Sequence, residues 1–181
     1  MHLDARHLGL VFTGWGLLVA LFSVFVAPRL QARWGTARVL YANLLLLGGV
    51  MAAIAAGVNT PDVVIGAVVA SGAFIGINNT LTTQAVMLVS PVDRPVASSA
   101  YGFVRFIGGG LAPYVAGKIA DASSLSVPFY VGAATFVLAI FVLATGHRLL
   151  AAAESGQVDV VPVTKPTQED AVAVAEALEI G

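Results

Sequence analysis

The sequence predicts an all-α membrane protein of five transmembrane helices, and three observations carry that class. Of 181 residues, 58% are hydrophobic and only 10% are charged, with a mean hydropathy of +0.90; an ordinary soluble domain carries about 25% charged residues. The apolar residues come in blocks of about 20, the length at which a helix rising about 1.5 Å per residue crosses roughly 30 Å of hydrocarbon. Between the blocks stand clusters of Pro, Asp, Asn, Ser and Arg, which mark turns.

Taken in order, the spans fall at about residues 8–27, 39–58, 63–89, 96–120 and 127–146. The first ends at Pro28 and the second at the turn Asn59-Thr60-Pro61-Asp62. The third is closed by Ser90-Pro91-Val92-Asp93-Arg94-Pro95, the fourth by the polar stretch from Lys118 to Ser126, and the fifth by His147 and Arg148. The third and fourth exceed 20 residues, so tilt, a kink or projection beyond the bilayer is expected. Residues 1–148 form the transmembrane domain. Residues 149–181 read as an acidic, disordered cytoplasmic tail, because they hold Lys165 against Glu154, Asp159, Glu169, Asp170, Glu176 and Glu179 and lack aromatics. Thr167 could cap a short helix within it.

Loop charge sets orientation, since short loops rich in Lys and Arg stay cytoplasmic. Arg29, Arg33, Arg38, Arg94 and Arg148 lie on one side, and Arg6 and Lys118 on the other. The N-terminus of the segment is therefore expected outside and the C-terminus in the cytoplasm of a multi-pass plasma-membrane protein. A short translocated N-terminus without a signal peptide suggests an internal Met1 and a missing N-terminal portion.

In lipid, helices meet through small and polar faces. On the third span a stripe through Phe74, Ile77, Leu81 and Leu88 reads as the lipid face. Opposite it lie Ser71, Gly72, Gly76, Asn78, Asn79, Thr82 and Thr83, with Thr80 and Gln84 on the flank. Asn78, Asn79, Thr82, Thr83 and Gln84 are the candidate lining of a substrate cavity, because an unpartnered amide in an apolar medium costs several kcal/mol. The alternative is that the hydroxyls bond their own backbone and the carboxamides tie helices together. The fourth span sets Gly102, Arg105, Gly109, Ala112, Pro113 and Ala116 against Phe103, Ile107, Leu111 and Tyr114, and the first sets out Gly9, Thr13, Gly16, Ala20 and Ser23 as a small face. Arg105, the one charge well inside a span, is either a buried functional cation or a side chain snorkelling to the interface. Gly108, Gly109 and Gly110 before Pro113 predict a loosened helix, as a hinge or as static packing.

Enzyme chemistry has no support. Neither HExxH, GxSxG nor a Walker-type loop occurs, and no carboxylate lies within a span. No cysteine is present, which removes thiolate metal sites. No metal, no bound cofactor and no nucleic-acid partner is expected; a small-molecule substrate and the lipid bilayer are.

Two stretches resemble the C-terminal half of a major facilitator superfamily transporter, from its eighth helix to its twelfth, in the bacterial drug efflux branch. In "APRLQARWGTARVL", Arg33 and Gly35 match that family's basic loop, while Pro28 replaces its first glycine and Ala32 its acid. "TLTTQAVMLVSPVDRPVASSAYGFVRFIGGGLAPYVAG" is similar to its tenth helix, loop and eleventh helix. The resemblance implies a partial major facilitator bundle. It further implies drug efflux by alternating access between two six-helix halves, driven by a proton gradient, and an absent N-terminal half as partner. Arg33 and Arg105 would then serve a cytoplasmic gate or a polar partner. The alternative is a remnant membrane subunit with only a packing role.

Overall fold

A computed structural model describes residues 5–155. Most of the expected acidic tail, from residue 156, lies outside the described residues, as do residues 1–4. The regular structure among the described residues is helical. α1 (Ala5–Leu21) passes through a π-helical turn (Phe22–Val26) into α2 (Ala27–Trp34), followed by α3 (Thr36–Ala56), α4 (Pro61–Val89), α5 (Arg94–Ala122) and α6 (Val127–Glu154). Four helical rods, Ala5–Trp34, Thr36–Ala56, Pro61–Val89 and Val127–Glu154, are long and apolar enough to cross a membrane. α5 has the length, but Arg105, the glycine run and Ser98 and Ser99 dilute its apolar character.

Helix starts follow local chemistry. Pro28, Pro61, Pro95 and Pro128 occupy the first turns of α2, α4, α5 and α6, where a missing N–H costs nothing and φ is already helical. Pro28 nevertheless does not end the first span, as its sequence position suggests. The helix continues to Trp34 because the π turn just before it, in which the Ala27 N–H bonds the Phe22 carbonyl, widens the backbone where a proline ring would otherwise press on the preceding turn. The expected loop is thus helix up to Gly35, whose φ of 78° reverses the chain in one residue. α6 likewise runs on through Leu150 to Glu154, into the region expected to be tail.

α4 is the hub, touching α1, α3, α5 and α6, and α3 packs along α6. Where α4 crosses α1, any Cβ on Gly72 would stand 2.5 Å from the Trp15 carbonyl oxygen, and one on Gly76 2.5 Å from that of Val19. The contact is a close approach of backbones of the small-xxx-small kind. The small side of this crossing lies on α4; Gly9 and Gly16 of the expected α1 face have nothing within 4 Å.

The core corrects the expected lipid stripe. Ile77 (5% exposed) and Leu81 (0%) are buried with Ala27, Val39 and Leu40, and Phe22, Val26, Leu30, Ala85 and Leu143 pack against them. Only Leu88 of that stripe is exposed, and Phe74 is half-buried. A helix surrounded on several sides buries large apolar residues as well as small ones, and lipid and protein core select the same side chains. α5 is the opposite case: Ala97 is its one buried residue, and it touches only α4 and α6.

Candidate functional site

The polar centre of α4 divides among three faces because successive residues turn by about 100°. Asn78 and Thr82, four apart, come together on a groove of about 550 Å3 between α3, α4 and α6. Its other walls are apolar but for Thr135, with Leu40 and Leu44 from α3, Val86 and Val89 from α4, and Phe136, Leu143 and Leu150 from α6; the Thr135 hydroxyl is already spent on the Val131 carbonyl at 2.9 Å. A second cleft of about 310 Å3 between α3 and α6 is lined only by Gly, Ala, Leu, Val and Ile. The larger groove can therefore hold an apolar body and meet one hydrogen-bonding group, which the smaller cleft cannot.

The remaining α4 residues do not line that groove. Thr80 Oγ1 sits 2.6 Å from Ser23 Oγ and also donates to the Gly76 carbonyl at 3.2 Å. Thr83 donates to the Asn79 carbonyl one turn back at 2.7 Å, the backbone-bonding option that hydroxyls have in helices. Asn79 is half-buried and Gln84 exposed. The five candidates thus occupy separate faces rather than one surface.

Asn43 is the residue that sequence reasoning missed. It is 2% exposed in α3, its Nδ2 donates to the Phe74 carbonyl at 3.1 Å and reaches Asn78 Oδ1 at 3.5 Å, and its own Oδ1 has no partner among the described residues. The signal was a lone carboxamide inside "YANLLLL", which in an apolar medium must find a partner. Asn43 is thus a buried polar neighbour of Asn78, through one long contact at the edge of hydrogen-bonding distance.

Arg105, Gly108, Gly109, Gly110 and Pro113 lie on exposed parts of α5, and a Cβ on any of the three glycines would meet nothing within 4 Å. Arg33 is exposed in the last turn of α2. Neither arginine lines the groove, and α5 runs unbroken through Pro113. Among the described residues no three His, Asp or Glu side chains are grouped to hold a metal ion.

The sequence profile of the Major Facilitator Superfamily matches residues 1–173. The chain belongs to the major facilitator superfamily. This major facilitator chain is 39% identical over 156 residues to the multidrug efflux protein YfmO of Bacillus subtilis (strain 168), an alignment covering 86% of the chain and 39% of that protein. It therefore spans about two fifths of the length of this relative. No solved structure matches it significantly. Membership agrees with the helical bundle and with the family resemblance read from the Arg33 loop and the third and fourth spans. It makes the chain a multi-pass membrane protein of a transporter family.

Proposed function

We propose that the chain is the C-terminal part of a secondary active transporter that exports small, amphipathic compounds by proton antiport with alternating access. The observation that carries this reading is the groove between α3, α4 and α6, where Asn78 and Thr82 interrupt apolar walls, taken with the identity to a multidrug efflux protein. Such a surface suits a ligand with a large apolar body and one polar group, because buried apolar area supplies affinity and a few polar atoms supply orientation.

Asn79, Thr83 and Gln84, on other faces of α4, would meet the space between the two halves of the full transporter. α1 has no buried residue and α5 has only Ala97, so both leave broad flanks for an N-terminal half to cover. Arg33 and Arg105 would bear on the gate at the cytoplasmic end, and the glycine run with Pro113 would let α5 bend. The basic loops orient the bundle in the plasma membrane with its C-terminal end in the cytoplasm. The carboxylates of the helical rods, Asp62 and Glu154, stand in terminal turns and none lies at mid-membrane depth, so the residue that takes up the proton would sit in the other half. The packing-only reading draws support from Thr80 and Thr83, whose hydroxyls are already engaged inside the bundle.

The test is dye export by the full-length protein. Asn78→Leu and Thr82→Val should each lower export about fivefold, the effect of losing a hydrogen bond of about 1 kcal/mol, with membrane expression retained. A protonophore should abolish export. Unchanged export by both variants would overturn the groove assignment, and export that survives the protonophore would overturn the antiport.

A further inference from the structure

The turn between α2 and α3 is joined to the far end of the chain by a carboxylate. Glu154, in the last turn of α6, accepts a hydrogen bond from the backbone N–H of Thr36 at 2.8 Å, across 118 positions of sequence. Thr36 is the first residue of α3 and is 0% exposed, and its Oγ1 in turn accepts from Gln31 Nε2 at 2.9 Å. The other carboxylate oxygen, Oε2, lies 3.5 Å from the Cβ position of Gly35. The carboxylate thus sits against the first turn of α3, where unpaired N–H groups and the positive end of the helix dipole favour an anion.

The position of this contact matters for the groove. Leu40 of α3, one turn beyond Thr36, lines the groove together with Gly146, Leu149 and Leu150 from the last turns of α6, and Leu150 and Ala153, just before Glu154, are buried (4% and 9% exposed). The two walls of that end are therefore held together by apolar packing and by one interhelical hydrogen bond to a charged group. Beyond it, α3 and α6 meet through the tilted Tyr41–His147 ring pair, with centroids 5.9 Å apart, through Phe136 and Met51 beside Gly48 and Gly132, and through Gly, Ala and aliphatic side chains along the second cleft, packing that can shift without breaking a hydrogen bond.

We infer that the Glu154–Thr36 contact is a clasp that keeps this end of the groove shut, and that separating α6 from α3 there requires its release. The inference rests on the geometry of the groove and does not depend on what the protein transports. It is tested by cysteine alkylation in the full-length protein in membranes, with any cysteine outside this segment replaced by serine; the segment itself has none. A reporter at Ala37→Cys, 6% exposed beside the clasp, is compared with one at Ala55→Cys, 3% exposed at the other end of α3.

Glu154→Ala should speed maleimide labelling at Ala37→Cys about tenfold or more, the loss of roughly one charge-assisted hydrogen bond, and leave Ala55→Cys within about twofold. Thr36→Pro removes the N–H donor at a helix position where proline is tolerated. It should raise labelling equally with Glu154 intact, and the double variant should go no further. Thr36→Ala keeps the N–H and should stay slow. An unchanged rate at Ala37→Cys in both Glu154→Ala and Thr36→Pro would overturn the clasp. So would an equal rise at both reporters, because that would mean general loosening of the bundle.

Discussion

Thr80 Oγ1 stands 2.6 Å from Ser23 Oγ, in line with the Gly72 and Gly76 contacts along one edge of α4. It also approaches the Ser23 carbonyl at 3.3 Å, inside the π turn, where the backbone ladder is irregular. Thr80 therefore joins two helices and steadies a turn that Pro28 makes necessary. Thr80→Val and Ser23→Ala should each lower stability, with a coupling near 0.6 kcal/mol in a double-mutant cycle, the average for hydrogen bonds between membrane helices. Thermal unfolding of the full-length protein in detergent measures it, and additive losses would mean that the two hydroxyls act separately.

Glycines in α4 and α5 should respond in opposite ways. Gly76→Ala sets a methyl 2.5 Å from the Val19 carbonyl oxygen, and forcing the helices apart should cost about 1–3 kcal/mol. Gly109→Ala meets nothing within 4 Å and should be neutral or stabilising by up to about 1 kcal/mol from helix propensity. If α5 bends at its glycines during transport, Gly109→Ala should keep the protein folded while lowering turnover. Unaltered turnover would remove the hinge role.

Asn43→Leu separates positioning from stability. The amide makes one good bond, to Phe74, and leaves Oδ1 unmet, so replacing it with an apolar side chain of similar size should change stability by less than about 1 kcal/mol. If Asn43 orients Asn78, export should nevertheless fall, because Asn78 loses its buried polar neighbour. Full export by Asn43→Leu would show that Asn78 orients itself.

Gln84→Leu offers a comparison within α4. Gln84 is exposed and does not line the groove, so its loss should leave the affinity for a groove ligand unchanged, measured by direct binding of a fluorescent amphipathic compound. A fall in export at unchanged affinity would place Gln84 in the space between the halves.

The helices were legible because bilayer thickness and turn chemistry leave few choices. Pro61, Pro128 and the Ser90–Arg94 turn stand within a few residues of the expected ends. What the pattern could not separate was lipid from protein. Ile77 and Leu81 look like lipid-facing residues in sequence and are core in space, since both surroundings are apolar and only the neighbours differ. Asn78 and Thr82 were recognisable as polar groups in need of partners, but not that Thr80 would turn to α1 while they turned to α6. Glu154 reads in sequence as the root of a tail; its contact with Thr36 reaches across 118 positions, and no local rule reaches that far. Pro28 misled for the reverse reason, because a local rule that ends most helices was overridden by a wider turn placed just before it.

The prolines in the first turns of α2, α4, α5 and α6 carry a consequence for how this bundle tolerates change. The chain is punctuated at the openings of its helices, by a residue whose ring sets the backbone angle wherever it stands. Two of the closings are fixed as well, because Gly35 needs its φ of 78° and a Cβ on Gly57 would stand 2.5 Å from Val63; those of α4 and α5 are left to Ser90 and Ser123, which carry no such constraint. Sequence drift should therefore lengthen or shorten α4 and α5 at their far ends, by a residue or a turn. Where each one begins should stay put, and with it the depth at which every side chain sits in the membrane.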